Sequence, residues 1–534
     1  MLPTVQLLVI LLGVIAAVAV AASRLKIPPA ILLVVTGVAL ALIPGLPAVT
    51  LAPEFVLLIV LPPIIYDAAV TMSWREFRFN LRPIALLAVG CVVFTTVAVA
   101  AATHLLLGLS WPVGLILGAI VSPPDAVAPL SVMRRMRLPR RIVVVLEGEG
   151  LANDATALIL YRFAIVAVMT GTFSPSRAAG TFAAIIVGEL LWGVGVGWAM
   201  LRLRRWVRDP RIEITISILT PYLAYWIPQY FGGSGVLATV TAGLYISWNG
   251  LRLISAATRL QGIFFWDFFV YIIEGMVFLL TGLQARTIAT GTASYSVATL
   301  AISSAVVCGV VIVARFVWVY PAIYLPRWLF PRVRRHDPSP PWQWAFVLSF
   351  TGVRGVVSLA AALAIPFITA SGQPFPGRDL ILILTFAVIL VTLVGQGLML
   401  PWVVRLLGLA NAGRRERHAD RAEEAEAWQQ SIEAALARLE TLTAERSLPD
   451  DVVHPLRVYY RDRLRQIRHR GDGDERHHKL TELADEIGLQ IIETERVLIN
   501  ELYRAGKLKD EARRRIERAL DLRESDLINQ QAEE

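Results

Sequence analysis

The sequence predicts an all-α polytopic membrane protein with about 13 transmembrane helices, inverted repeats, two broken crossing helices and a helical cytoplasmic tail. Hydrophobic residues make up 56% of its 534 residues and charged residues only 17%, whereas soluble proteins average about 25% charged residues. Apolar segments of about 20 residues, the length that crosses the core of a bilayer, recur along residues 1–410. Soluble enzymes and disordered chains are thereby excluded, and two cysteines are too few for a disulfide scaffold.

Thirteen apolar segments are predicted to span the membrane. The first has no basic start and no small-residue cleavage site, so we interpret it as a retained span rather than a signal peptide. The ninth is the shortest and is rich in Gly and Thr. The predicted spans are 2–22, 28–47, 51–72, 83–107, 112–133, 142–170, 179–201, 212–230, 234–249, 262–284, 293–325, 342–368 and 380–407.

The basic loops support this number of spans and predict their orientation. Loops after odd-numbered spans carry 21 Lys and Arg residues, whereas loops after even-numbered spans carry three, Arg177, Arg286 and Arg378. Because positively charged loops remain in the cytoplasm, the N-terminus is predicted outside and the tail inside. The net charge of +9 therefore reflects topology, and nucleic acid is not an expected partner.

Residues 411–534 differ in composition from the rest, with 23 Lys and Arg and 28 Asp and Glu. Trp428, Ile432, Ala435, Leu439 and Leu442 recur at steps of three and four, which is typical of one face of an amphipathic helix. The sequence thus predicts two domains, a transmembrane domain at 1–410 and a helical cytoplasmic tail at 411–534. The tail is either a solvated appendage or a regulatory domain, and the pattern does not decide between them.

Charged residues inside the spans are the best candidates for function, because each costs at least about 2.5–3.5 kcal/mol at a helix centre. The sixth span holds three carboxylates within eight residues, Glu147, Glu149 and Asp154. For Glu189, Asp267 and Glu274, which lack a surrounding motif, a structural role is favoured. The remaining charged residues within spans are Asp67, Asp125, Arg162, Arg315 and Arg354.

The cluster in the sixth span predicts an ion-binding carboxylate. Glu149 and Asn153 are four residues apart and share a helix face, and Asp154 lies about 100° further round the helix. Carboxylate oxygens are hard ligands that suit hard cations. Desolvation disfavours the charged form of a lone carboxylate, so such a group also holds a proton. A site that binds a cation or a proton, but not both, is sufficient for exchange.

Two interrupted helices are predicted to frame this cluster. The fifth span contains Ser-Pro-Pro-Asp-Ala-Val-Ala-Pro at 122–129, and three prolines within seven residues cannot sit in a regular helix. The twelfth span contains Thr-Gly-Val-Arg-Gly at 351–355, where the charged residue again follows a hydroxyl residue by three positions. Seven spans apart, the two elements point in opposite senses. Paired interrupted helices in inverted halves indicate a transporter site near the membrane midplane.

These motifs together resemble the sodium/proton exchangers, most closely the bacterial branch of the first monovalent cation/proton antiporter family. The matching stretches are 61–68, 122–128, 147–158 and 352–360, and the resemblance covers essentially all of residues 1–410. It implies a homodimer in the plasma membrane, in which a core domain moves against a dimerisation domain. It also implies a role in pH and sodium homeostasis.

The resemblance assigns the ion site to four residues. Asp154 is expected to bind the transported cation or proton, and Asn153 to shape the site. Asp125 and Ser122 are expected to complete the site from the broken fifth span. The family often has Thr-Asp-Pro in that span, where this chain has Pro124-Asp-Ala.

The resemblance also implies supporting roles. Glu149 is expected to pair with Arg315 in a core ion pair. Arg354 is expected to compensate the broken twelfth helix, and Asp67 to lie along the cation path.

Other functional classes fit the sequence less well. A cation-coupled solute symporter, the alternative, would need a further polar cavity, and no extra polar cluster indicates one. A channel would need a filter ring. An enzyme would need a nucleophile or a metal set, but His104 is the only histidine near a span, and no phosphate-binding Gly-x-x-x-x-Gly-Lys occurs. No enzymatic activity and no cofactor are expected.

The sequence therefore predicts a secondary antiporter that exchanges sodium, or lithium or potassium, for protons by alternating access. If Glu149 is paired, Asp154 offers a single titrating charge. The carrier then has the same net charge whether it holds one cation or one proton. The exchange is therefore predicted to be electroneutral, one for one.

Overall fold

The computed structural model describes residues 2–44, 51–136, 138–171, 175–207, 209–250, 253–291, 295–369, 372–471 and 475–532. Of the basic loop residues used above to predict orientation, Arg137, Arg208 and Arg252 lie outside these ranges. The chain divides into two compact units, Met1–Arg414 and Arg415–Glu534.

The first unit is built from helices of very unequal length. It also contains three segments of π-helix, Phe55–Val60, Leu86–Cys91 and Val391–Gln396. The helices are α1 (Leu2–Leu25), α2 (Pro29–Ala41), α3 (Leu61–Thr71), α4 (Trp74–Phe79), α5 (Leu81–Ala85), α6 (Val92–Leu107), α7 (Trp111–Val121), α8 (Val127–Met136), α9 (Arg140–Thr170), α10 (Pro175–Arg204), α11 (Pro210–Tyr230), α12 (Val236–Asn249), α13 (Ala256–Leu283), α14 (Ala285–Thr290), α15 (Val297–Leu329), α16 (Pro331–His336), α17 (Trp342–Phe350), α18 (Val356–Leu363), α19 (Arg378–Leu390) and α20 (Gly397–Leu406).

Every predicted span contains helix, although not every one is a single long helix. Among the described residues, seven helices are long and apolar enough to cross a membrane: Gln6–Leu25, Leu81–Leu107, Arg140–Thr170, Ala178–Arg204, Ala256–Ala289, Val297–Leu329 and Arg378–Leu406. Pro29–Ala41, Phe55–Thr71 and Trp111–Val121 are shorter apolar helices. The number of thirteen spans stays a prediction.

The fifth and twelfth predicted spans are interrupted where the sequence indicates a break. Residues 122–126 separate α7 from α8, and residues 351–355 separate α17 from α18. Pro123 and Pro124 supply no backbone N–H, so the chain cannot continue α7 with regular hydrogen bonds. At the second break Gly355 is fully extended, with φ −129° and ψ −156°. Both breaks are therefore local consequences of the residues in them.

Glycines bring two helices of the first unit into close contact. Gly37 on α2 faces Gly282 on α13, and a Cβ at either position would overlap backbone of the other helix. Small residues at such positions allow backbones to approach closely, as is typical of membrane helices.

The surface of the long helices is apolar. Leu191 and Trp198 on α10 are 69% and 57% exposed, and Phe264 on α13 is 74% exposed. Such exposure is unfavourable in water and is expected where helices face lipid.

The second unit is helical, and ion pairs connect its helices. The helices that follow residue 408 are α21 (Leu409–Arg446), α22 (Asp450–Gly471), α23 (Glu475–Arg504) and α24 (Asp510–Ala532). Arg496 on α23 contacts Asp521 and Glu524 on α24, at 2.7 Å each. Arg457 of α22 pairs with Glu440 of α21 at 2.8 Å.

Candidate functional site

The two interruptions meet and bond to one another. The backbone N–H of Asp125 donates to the carbonyl of Val353 at 2.6 Å. The buried Arg354 donates through Nε to the carbonyl of Val121, the last residue of α7, at 2.8 Å. A helix C-terminus carries partial negative charge and unsatisfied carbonyls, so Arg354 neutralises the broken end of α7. The crossing of the two broken helices is thus held by contacts between them.

Asp125 is fixed between the two breaks. Its Oδ1 accepts a hydrogen bond from the N–H of Val127 at 2.9 Å, at the N-terminus of α8, where a carboxylate is favourable. Its other oxygen, Oδ2, lies against Gly355, and a Cβ at that glycine would overlap the Asp125 carboxylate. The glycine is therefore required for the carboxylate to lie where it does.

Ser122 and Asn153 hold the break from two sides. Asn153 on α9 donates through Nδ2 to the carbonyl of Pro124 at 2.6 Å. Ser122 donates to the carbonyl of Ala119 at 3.2 Å, and its Oγ lies 3.2 Å from the hydroxyl of Thr96 on α6. Asn153 is fully buried, and its Oδ1 has no hydrogen-bond partner among the described residues.

Asp154 follows Asn153 on α9 and differs from it in having no partner. Among the residues that the structure describes, no hydrogen bond or ion pair reaches its carboxylate. It interacts electrostatically with Asp125, and the interaction is repulsive. An uncompensated carboxylate inside the membrane is costly, and a bound cation or proton would remove that cost.

Glu149 lies five residues before Asp154 on the same helix and is fully paired. Arg315 on α15 donates from Nη1 and Nη2 to its two carboxylate oxygens at 2.5 and 2.8 Å. The third donor, Nε, binds the carbonyl of Leu348 at 3.0 Å. Both side chains are 1% exposed, so the pair is neutral and sealed from water.

The other acidic residues within the spans have different interaction partners. Asp67 on α3 interacts electrostatically with Asp267 and Arg134, and Glu274 on α13 interacts with both Asp67 and Asp125. Glu189 on α10 instead accepts hydrogen bonds from the N–H groups of 234, 235 and 237 at 2.5, 3.0 and 3.1 Å. Glu189 therefore neutralises the N-terminus of α12.

Oxygen ligands for a cation are available at the crossing. Among the described residues, the contacts above leave several oxygens of the predicted site without a hydrogen bond. These are the carboxylate oxygens of Asp154, Oδ2 of Asp125 and Oδ1 of Asn153. Over the described ranges, no group of three or more His, Cys, Asp or Glu side chains could hold a metal ion.

Several residues that build this crossing were missed by sequence reasoning. Thr392, on the π-helix after α19, accepts a hydrogen bond from the N–H of Arg354 at 3.0 Å. Thr96 lies beside Ser122, and Val353 supplies the carbonyl for Asp125. No motif marks Thr96 or Thr392, because a threonine in an apolar helix is common and its partner lies far away in sequence. Gly355 lay inside a recognised motif, but only the structure shows its contact.

Comparison with known proteins identifies the family. The family model described as "Sodium/hydrogen exchanger, transmembrane" matches residues 8–406. This chain belongs to the sodium/hydrogen exchanger family. The family consists of antiporters, which confirms the antiporter prediction, and the symporter alternative receives no support.

Relatives of this exchanger carry related names. It is 34% identical over 531 residues to an uncharacterized Na+/H+ exchanger of Mycobacterium tuberculosis, covering 98% of this chain and 96% of that protein. It is 36% identical to the sodium, potassium, lithium and rubidium/H+ antiporter of Bacillus subtilis, over 61% of this chain and 50% of that one. It is 31% identical to the Na+/H+ antiporter NhaS2 of Synechocystis, over 76% and 71%.

The exchanger also resembles a solved structure. The sodium proton antiporter MjNhaP1 of Methanocaldococcus jannaschii matches it with a TM-score of 0.62 at 20% identity, covering 76% of this chain and 98% of that one. This match confirms the predicted all-α, multi-helix fold.

Proposed function

We propose that this exchanger moves sodium, with lithium and potassium as the competing candidates, in exchange for protons, and that Asp154 carries both ions in turn. The observation that carries the proposal is the unpartnered carboxylate of Asp154 beside the crossing of two broken helices. Relatives named as sodium, potassium, lithium and rubidium/H+ antiporters support a monovalent cation as cargo.

Exchange follows from competition for one carboxylate. A cation near Asp154 can be coordinated by the carboxylate, by the free Oδ1 of Asn153 and by Asp125 Oδ2, all hard oxygen ligands. A proton on Asp154 removes the charge that attracts the cation. Each ion therefore displaces the other, and no cofactor and no covalent chemistry are required.

The stoichiometry follows from which carboxylates are free. Glu149 is neutralised by Arg315, and Asp125 is anchored by the N–H of Val127. Asp154 then contributes the one charge that changes between loaded states. With one cation or one proton bound, the moving site has the same charge, so the exchange is electroneutral and one for one.

The cellular setting is part of the same proposal. The exchanger works in the plasma membrane as a homodimer, with its N-terminus outside and its tail in the cytoplasm, as the basic loops predict. The broken helices form a rigid unit that moves relative to the rest, giving alternating access as in other carriers with interrupted helices. Its role is pH and sodium homeostasis.

A vesicle assay tests the proposal. Everted vesicles or proteoliposomes carry an internal pH dye and an imposed acid gradient, and sodium, lithium or potassium salt is then added. We expect wild-type protein to dissipate the gradient and Asp154→Asn to lose this activity, because asparagine is isosteric but holds no charge to bind a cation.

The matched control is Asp379→Asn, an exposed carboxylate at the start of α19, which should exchange as wild type does. Asp154 would be excluded as the ion site if well-inserted Asp154→Asn protein exchanged at the wild-type rate. A response to potassium alone would keep the mechanism and change the cargo.

A further inference from the structure

Three arginines converge on one carboxylate far from the ion site. Arg82 of α5, Arg141 of α9 and Arg327 of α15 place guanidinium nitrogens 2.5, 2.8 and 2.6 Å from the carboxylate oxygens of Asp337. Asp337 lies between α16 and α17. We call these four residues the arginine cluster. Its net charge is +2, so the carboxylate leaves two positive charges without a counter-ion.

The charge of the cluster is stable at physiological pH. Burial by itself raises the pKa of Asp337, but hydrogen bonds from Arg327 and Arg141 outweigh it and hold the pKa below its usual range. Asp337 therefore stays ionised, and guanidinium groups do not lose their protons in proteins. Near neutral pH the four groups therefore keep a net charge of +2, and protonation of Asp337 could only raise it.

Two of the arginines still have donors to offer. Arg327 is 4% exposed and uses all three nitrogens, on Asp337 and on the carbonyl of Ile323. Arg82 and Arg141 are 33% and 25% exposed. In the described part of the chain, Nη1 of each has no hydrogen-bond acceptor, and neither does Nε of Arg82. These donors are open to a ligand from outside the protein.

The cluster borders an apolar crevice. Arg141 and Arg327 line it together with Pro83, Leu87, Val145 and Trp344, and its volume is about 30 Å³. This volume is too small for an acyl chain to enter. The rim of the crevice, where the arginines lie, is the part that can contact a lipid headgroup. The arginines fall in the segments 75–82, 134–141 and 327–335 between predicted spans, all three predicted to be cytoplasmic by the positive-inside rule.

We propose that the arginine cluster binds the phosphate of an anionic phospholipid in the cytoplasmic leaflet. Guanidinium groups match phosphate oxygens in geometry and charge. Basic pockets between transmembrane helices on the cytoplasmic side are suited to anionic headgroups. The phosphate sits on the free donors of Arg82 and Arg141, and the acyl chains lie along the apolar outer surface beside the crevice.

The cluster lies about four helical turns from the proposed ion site. α9 begins at Arg140 and carries Asn153 and Asp154, while α15 carries Arg315. Arg141 lies thirteen residues before Asp154, which is about 20 Å along a helix. The lipid therefore takes no part in ion binding. Through Arg82 and Arg141 it holds α5 against the start of α9, and Asp337 links both arginines to Arg327 on α15.

Lipid binding to the full-length protein tests the proposal. Purified protein in neutral detergent is titrated with phosphatidylglycerol, and bound lipid is counted by native mass spectrometry. Each arginine near an anionic headgroup contributes about five-fold in affinity, so Arg82→Gln/Arg141→Gln should bind roughly 25-fold more weakly. Arg75→Gln, an exposed arginine of the same predicted loop, is the matched control and should bind as wild type does.

Further arms separate the sources of phosphate and guard against misfolding. Phosphatidylcholine should not compete, and inorganic phosphate should compete only weakly; competition by inorganic phosphate at the concentration of the lipid would make this a free-phosphate site instead. Asp337→Asn keeps all three arginines and raises the net charge, so it should bind phosphatidylglycerol more tightly. Unchanged binding in the double arginine variant, or weaker binding in Asp337→Asn that is still folded, overturns the proposal.

Discussion

At the scale of single residues, a partner decides what a carboxylate does. Glu149 and Asp154 are five residues apart on α9, and both lie inside a predicted span. Arg315 binds Glu149 with two hydrogen bonds, whereas no described group pairs with Asp154. The first charge is therefore permanent and structural, and the second is available for a cation or a proton.

Removing one member of the buried pair should destabilise the protein. Glu149→Gln leaves the guanidinium of Arg315 buried and uncompensated, which costs about 3–5 kcal/mol. We expect a clear fall in the unfolding temperature, measured by thermal unfolding in detergent. Glu149→Gln/Arg315→Gln should be more stable than Glu149→Gln, because no unpaired charge remains.

Glu147→Gln is the matched control. Glu147 is two residues away and pairs with the exposed Arg134 at 2.8 Å. An exposed ion pair contributes about 0–1 kcal/mol, so this variant should unfold close to the wild-type temperature. Equal losses in Glu147→Gln and Glu149→Gln would contradict the importance of burial.

A single methyl group at Gly355 should block the site. Gly355→Ala places a Cβ where the Asp125 carboxylate lies, so the carboxylate or the break must move. We expect exchange in vesicles to fall more than ten-fold, since the geometry of a functional site is sensitive to displacements of about 1 Å. Gly309→Ala, in α15 with nothing near its Cβ position, should exchange normally. Wild-type exchange by Gly355→Ala would show that Asp125 need not stay against the second break.

At the scale of helices, the structure depends on how helix ends are neutralised. The end of α7 receives Arg354, the start of α8 receives Asp125 and the start of α12 receives Glu189. In lipid no water can satisfy these backbone groups. Charged side chains therefore satisfy these ends, Arg354 and Glu189 from other elements and Asp125 from the break just before α8. Arg354 and Asp125 also border the proposed ion site.

Glu189 is expected to support α12 without taking part in transport. Glu189→Ala leaves the N–H groups of Ser234, Gly235 and Leu237 without this acceptor, and each unsatisfied group costs about 1–3 kcal/mol. We expect lower thermal stability but near-normal exchange per folded molecule, measured by unfolding in detergent and by vesicle assay on quantified protein. Glu189→Gln, which keeps one acceptor oxygen, should lie between. Loss of exchange with unchanged stability would instead make Glu189 part of the ion path.

At the scale of the whole molecule, competition at one carboxylate predicts how exchange depends on pH and voltage. When protons occupy most sites, each further unit of acidification should raise the apparent KM for sodium about ten-fold, because the two ions exclude each other reciprocally. The rate should not change when valinomycin and potassium set a membrane potential across proteoliposomes. A rate that follows voltage would contradict one-for-one exchange.

The sequence by itself determined the class of protein, its helical character and the positions of the two breaks. These are local properties: hydrophobicity decides which segments enter the bilayer, and the adjacent Pro123 and Pro124 remove two consecutive backbone N–H donors at the end of α7. The residues Asp125, Asn153, Asp154 and Arg354 were also recognisable, because they lie within continuous motifs.

Only the tertiary structure decided which groups meet. Arg354 reaches Val121 across 233 positions in sequence, and Arg82 reaches Asp337 across 255. Thr392 joins the crossing although no motif surrounds it. Such pairs depend on which helix faces pack together, and helix packing is set by the summed shapes of many side chains rather than by any local pattern. For the same reason, the open coordination at Asp154 and the net charge of the arginine cluster are visible only once the helices are assembled.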